Sequence, residues 1–290
     1  LTNGTHTQNF SGWRSVVPTL AYQKMYNFGM TLASPTSSLP AGTGFGTFNV
    51  ATTGALTITG KLSDGVAFST ATFVGPSGEV LLHYATTTTD TVLGKLDIEP
   101  GSALDFSDYH LTGTATWSRK AQAATVRLYR DTFGPVDVNV VGGRYVAPVS
   151  PQVFYAMPYI AGVTLSNGAL VFTDADFGSA VPPVTPDVSV LVKPGGIATV
   201  LNPRPRSTTF ALNVATGGFS GLFTLLDPNP LAPATNISRP SIAYQGLVYR
   251  NGANLNAQGY FLLNNLPRVV NETSLNTKTV SGKVVLNARP

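Results

Sequence analysis

Apolar residues recur at every second position through much of the chain, in short runs that end at glycine, asparagine or aspartate. In NVATTGALTITGKL at 49–62, Val50, Leu56, Ile58 and Leu62 alternate with small or polar residues around Thr53-Gly54. Period-two alternation buries one face of a strand, and glycine supplies the positive φ of a tight turn, so the segment predicts a β-hairpin. The same phrase returns as NVATGGFSGLFTL at 213–225. Here Phe210, Leu212 and Val214 precede Gly217-Gly218, while Phe219, Leu222, Phe223 and Leu225 follow it. A fainter copy, VTLSNGALVF at 163–172, predicts a third hairpin turning at Asn167-Gly168.

Further turn signals stand at Gly42, Asp64-Gly65, Ser77-Gly78, Pro100-Gly101, Gly142-Gly143, Gly195-Gly196 and Asn251-Gly252. Short strands at this spacing predict an all-β protein, an antiparallel β-barrel or sandwich. The best helical stretch, KAQAATVRLYRD at 120–131, contains the poor helix formers Thr125 and Val126, which leaves room for one short helix at most. Proline-rich VAPVSPQVFYAMP at 146–158 reads as a crossing between sheets. One copy of the Asn-Val-Ala-Thr phrase lies on each side of it. The expectation is therefore two related lobes, residues 26–147 and 148–290, built from repeated hairpins. TVSGKVVL at 279–286 supplies a C-terminal strand, and the polar segment 1–25 suits an inter-subunit arm.

Composition narrows the chemistry. Hydrophobic residues make up 43% and charged residues only 11% of the 290 positions, less than half the usual charged share. Threonine, serine and the amides must then face water, as on many exported β proteins. The absence of cysteine excludes disulfides, thiolate metal sites and a cysteine nucleophile. A net charge of +4, with only Arg204 and Arg206 and the pair Arg119-Lys120 close together, speaks against nucleic acid. No apolar run approaches the roughly 18 residues of a membrane span. The opening LTNGTHTQNF lacks the basic and apolar regions of a signal peptide, so an exported form is expected to have lost its signal already.

The runs GTGFGTFNVATTGALTITGKLSDGVAFS, ATWSRKAQAATVRLYRDTFGPVDVNVVGGRY, GLFTLLDPNP, YQGLVYRN and GYFLLNNLP, closed by VSGKVVL, resemble the C-terminal β domain of large secreted and cell-surface proteins of Verrucomicrobia and related bacteria. The resemblance covers about Tyr26 to Leu286. It implies export and a β architecture and carries no catalytic residue.

Motifs with chemical precedent fall short on spacing. GALTITGKL at 54–62 places five residues between its glycines and Leu62 where a phosphate loop needs Ser or Thr. GFSG at 218–221 lacks the strand-turn-helix frame of a nucleophile elbow. The histidines His6, His83 and His110 have no Ser and Asp beside them in sequence. Asp174 and Asp176 alternate in TDADFG and could share a calcium ion, although a complete ligand run is missing. Asp227 in LLDPNP predicts a turn.

Trp13, Trp117, Tyr155, Tyr159 and Tyr244, with Tyr249 and Tyr260, suit either a sugar-stacking platform or ordinary cross-strand packing. Asn3, Asn9, Asn236 and Asn271 open glycosylation triplets, which a sequence rich in Asn, Ser and Thr also generates by composition. Together these features predict no cofactor, no metal and no catalytic site. They point to a non-enzymatic extracellular structural protein, a homo-oligomer or homopolymer joined by β-strand contacts through its terminal segments. A carbohydrate-binding or adhesive module that engages cell-surface glycans is the alternative.

Overall fold

Wherever alternation is regular the chain is strand. The computed structural model describes residues 12–13, 20–86, 89–149, 157–162, 164–177, 187–202, 207–252 and 254–289. Helix among them is confined to 3-10 turns at Leu20–Tyr22 and Pro194–Gly196. The first eight strands are β1 (Met25–Leu32), β2 (Gly44–Asn49), β3 (Ala55–Lys61), β4 (Ala67–Phe73), β5 (Glu79–Ala85), β6 (Asp90–Glu99), β7 (His110–Arg119) and β8 (Phe133–Arg144). They form one antiparallel sheet in the order β4-β3-β2-β1-β8-β7-β6-β5. Its two ends approach each other where Val74 bridges to Val80 and the Gly75 N–H donates to the Glu79 carbonyl at 2.7 Å. The sheet is thus nearly closed into a barrel of the size that side chains alone can fill. Tyr26, Phe28, Ile58, Leu82, Leu96 and Ile98 are fully buried inside it.

The second lobe repeats the plan with β9 (Gly168–Thr173), β10 (Asp187–Val192), β11 (Ala198–Val200), β12 (Ala211–Asn213), β13 (Gly218–Pro228), β14 (Asn236–Asn251), β15 (Asn254–Asn264) and β16 (Thr279–Ala288). Their order is β11-β10-β9-β16-β15-β14-β13-β12, again antiparallel, with β11 and β12 flanking the open seam. An aromatic cluster fills this lobe: Phe172 lies 4.5 Å from Phe223 and 5.7 Å, edge-on, from Phe261. The chain passes from the first sheet to the second between Arg144 and Gly168.

Both Asn-Val-Ala-Thr phrases are hairpins. Gly54, at φ 84°, turns the chain between β2 and β3, and Gly217, at φ 79°, does so between β12 and β13. Val50, Leu56, Ile58 and Leu62 are buried as their alternation predicts. In the second copy Phe219, Phe223 and Leu225 are buried, whereas Leu222 is 42% exposed. It points outward because it is offset by one residue from Phe223.

Several expectations are corrected. Asn167-Gly168 makes no hairpin. Gly168 opens β9, and the buried Asn167 amide donates to the Pro158 and Val192 carbonyls while its Oδ1 accepts from the Val192 N–H. Its side chain satisfies main-chain groups that no strand reaches. Gly142 and Gly143 lie inside β8, where β1 passes so close that a Cβ on Gly142 would overlap the Asn27 carbonyl. Residues 120–131 form no helix, within the limit of one short helix at most that their sequence allowed. They cross to the second lobe, where Leu128 bridges in parallel to Thr279 and the Thr279 N–H donates to the Arg127 carbonyl at 3.1 Å. That pairing overrides a weak helical propensity. Finally, β16 has ladders on both sides, to β15 and β9, and so offers no long free edge for strand exchange.

Candidate functional site

The lobes meet along β1, β2 and β8 of the first and β14, β15 and β16 of the second, and they exchange hydrogen bonds there. Asn27 on β1 is fully buried, and its Nδ2 donates to the carbonyls of Thr216 at 2.8 Å and Val248 at 2.9 Å. At the other end of the junction, Ser281 Oγ donates to the Ser63 carbonyl and accepts from the Gly42 N–H at 3.0 Å. The Thr43 N–H donates to the Gly259 carbonyl at 3.0 Å, and Phe45 stacks on Tyr260 with ring centres 6.1 Å apart. Main-chain groups hidden between lobes need partners, and each lobe provides them to the other.

Next to Ser63 lies a buried ionic cluster. Asp64 and Asp90 are 0% exposed and Arg119 is 4% exposed. Arg119 grips Asp90 through Nε at 2.9 Å and Nη2 at 3.0 Å, and Nη2 also meets Asp64. Trp117 Nε1 donates to Asp90 at 2.8 Å. The guanidinium also lies 5.6 Å from the centre of the Trp117 ring and 5.4 Å from that of Phe133. Two carboxylates share one cation away from water. Burial therefore pushes the Asp64 carboxyl above its ordinary value, against the pull of Arg119.

The second lobe has a simpler pair. Asp227 does not start a turn but sits near the end of β13, buried against Arg239, whose Nε reaches it at 2.8 Å. The β13–β14 register, which sets Leu225 opposite Arg239 and Asp227 opposite Ile237, brings the two together. Arg239 also donates to the Asn264 carbonyl at 2.8 Å, and burial raises the Asp227 carboxyl.

Phe133, beneath Arg119, also lines a cleft of about 360 Å³ where the 120–132 crossing meets the start of β16. Tyr129 lines it too. Burial pushes its hydroxyl up to about 12, although that oxygen accepts the Ser281 N–H at 2.8 Å. Among the described residues, three cations, Arg127, Arg130 and Lys278, share the cleft with a single carboxylate, Asp131. Asn265, Asn276, Ser37, Ser38, Thr132 and Thr279 add further polar groups to its lining.

The sequence-predicted residues do not assemble into one site. Trp117 and Tyr244 are buried in the cores of different lobes and contribute to no exposed platform. Tyr244 donates its hydroxyl to the Thr209 carbonyl at 2.6 Å. Trp13 packs near Gly75, Tyr159 is half-buried against the second core, and Tyr155 lies outside the described residues. Tyr249 and Tyr260 are buried at the junction. His83 is exposed on β5, His110 is half-buried at the start of β7, and His6 lies outside the described residues.

Asp174 and Asp176 do not converge on a common ligand position. Asp174 accepts from the Thr173 hydroxyl at 2.7 Å, whereas Asp176 accepts from the Leu266 N–H at 3.1 Å and pairs with Arg268. Among the described residues no group of three or more His, Cys, Asp or Glu could hold a metal. No described helix is long and apolar enough to cross a membrane. Asn236 and Asn271 are exposed, and Asn3 and Asn9 lie outside the described residues. The basic cleft was invisible in sequence apart from Arg127 and Arg130 in VRLYRD, because Lys278 is brought to them only by the fold. Set against models of protein families, curated proteins and solved structures, the chain matches none.

Proposed function

We propose that the chain is a non-enzymatic structural protein of an extracellular or surface-associated assembly, in which the two lobes act as one rigid unit. The observation that carries this reading is Asn27, an amide of one lobe that satisfies two carbonyls of the other while fully buried. Swinging the lobes apart would exchange these two bonds for bonds to water, at a net cost of about 0.5–1.5 kcal/mol each, and would expose the apolar surface packed around them. Most domain pairs within a chain move relative to one another across small, polar contacts; a sealed junction suits a part that transmits force or fixes a spacing. A surface poor in charge and rich in hydroxyls and amides suits exposure outside the cell.

Subunit contacts are assigned to the N-terminal arm. Strand β16 is occupied on both sides, and β11 and β12 are only three residues each. Ala21 and Tyr22 already pack on the first core and the Trp13 ring lies against Gly75 of the same lobe, which shortens the proposed arm to residues 1–11. Donation of such an arm to the next copy is heterologous and generates a ring or an open filament. Electron microscopy of the native material should show filaments, sheaths or layers. Deleting residues 1–11 should leave the β circular dichroism unchanged and abolish assembly. A full-length protein that stays monomeric at high concentration, or a truncated one that still assembles, would contradict the reading.

A further inference from the structure

Basic residues are scarce in this chain, 18 among 290, and three of them line the cleft between the lobes against one carboxylate. Their charges are weakly spent. Arg130 meets its neighbour Asp131 only at 3.5 Å, with both side chains exposed, a pair of little energetic consequence. Lys278 has no side-chain partner among the described residues. Arg127 is held in place by the Leu275 carbonyl of the opposite lobe.

We propose that this cleft binds a carboxylated saccharide. Guanidinium groups recognise a carboxylate through paired N–H donors, and an ammonium adds an unoriented positive charge. The lining also offers groups that sugar hydroxyls need: the Asn265 amide, whose buried Oδ1 has no partner among the described residues, and the hydroxyls of Ser37 and Ser38, whereas the Asn276 amide and the Thr132 hydroxyl are held by the Asn271, Thr273 and Arg119 main chain. Phe133 and Val126 provide apolar surface for the C–H face of a ring. A volume of about 360 Å³ lies at the small end of ligand pockets, roughly 300–1,000 Å³, so the cleft suits a short saccharide.

An acidic peptide fits less well. Peptides bind sheet proteins by adding to a free edge, and the edge of β16 beside the cleft is already taken. The Thr279 N–H is bonded to the Arg127 carbonyl, and the Ser281 N–H to the Tyr129 hydroxyl.

Calorimetric titration of the full chain with trigalacturonic acid tests the proposal. Saturable one-to-one binding that weakens with added salt is expected, with the neutral galactose trimer at least about tenfold weaker. The double variant Arg130→Gln, Lys278→Gln touches no cross-lobe bond, so it should melt like the parent and bind the acidic trimer about tenfold more weakly or worse. Absence of saturation, unchanged affinity in that variant, or equal binding of the neutral trimer would overturn the proposal. So would inorganic sulfate or a pentaglutamate peptide binding as tightly at the same ionic strength, since recognition would then be of charge alone. The proposal is independent of the assembly reading: a monomeric protein that binds the acidic trimer removes that reading and leaves this one standing.

Discussion

Gly29 on β1 lies directly against the ring of Tyr249 on β14, with no room for a side chain between them. A Cβ at position 29 would overlap the tyrosine ring, which is itself 2% exposed. Gly29→Val should therefore lower stability by about 1–3 kcal/mol through overpacking of the junction. Adding Tyr249→Ala removes the obstructing ring, so the double variant should lose less than the sum of the two single losses. Thermal melts of the four proteins give this cycle directly. Simple additivity would show that residues 29 and 249 do not press on one another.

Asn27 can be tested by charge as well as by deletion. Asn27→Ala leaves the Thr216 and Val248 carbonyls without their donor and should cost about 1–3 kcal/mol. Asn27→Asp presents an acceptor, ionised at neutral pH, to the same two carbonyls and should be worse. Protonation restores one donor, so the gap between the Asp and Ala variants should narrow as the pH is lowered. Equal stability of the two variants at pH 7 would argue against this geometry.

What could be read from sequence was local. Alternation around Thr53-Gly54 and Gly217-Gly218 locates both hairpins, because period and turn chemistry act over a few neighbouring residues. Gly142-Gly143 looks the same on paper and lies inside a strand, since Gly142 is crowded by β1 and Gly143 by the Tyr109 carbonyl and by Arg250 of β14, with β1 and Arg250 each more than a hundred residues away in sequence. Asn167 imitates a turn for the same kind of reason: its partner Val192 lies on β10. The cleft was harder still to read, because Arg127 and Lys278 come together only when a connection from one lobe pairs with a strand of the other.

The two buried arginines should differ in weight. Removing Arg119 leaves both Asp64 and Asp90 buried without their cation, whereas removing Arg239 leaves Asp227 alone. Arg119→Met should cost about 3–5 kcal/mol and should exceed the loss from Arg239→Met in urea unfolding at pH 7. The reverse order would contradict the shared-cation arrangement.

The pH dependence of Asp64 has a definite sign. Its carboxyl is raised in the folded state by burial, so the folded protein holds more protons than the unfolded chain above the ordinary aspartate value of about 3.9. Its contribution is fully present below that value and is lost as the pH rises through the folded one. Unfolding free energies of the parent and of Asp64→Asn, measured from pH 4 to 7, should show the parent losing stability relative to the variant across the acidic part of that range. A parent that gains on the variant with rising pH would show that Arg119 outweighs burial.

If the two lobes are one mechanical body, held together by Asn27, Ser281 and the crossing at 120–132, they unfold together. Differential scanning calorimetry of the full chain tests it most directly, because it compares the heat absorbed with the sharpness of the transition. A single peak is expected, with calorimetric and van't Hoff enthalpies that agree. Two resolved peaks, or a calorimetric enthalpy well above the van't Hoff value, would mean that the lobes unfold separately and would contradict it.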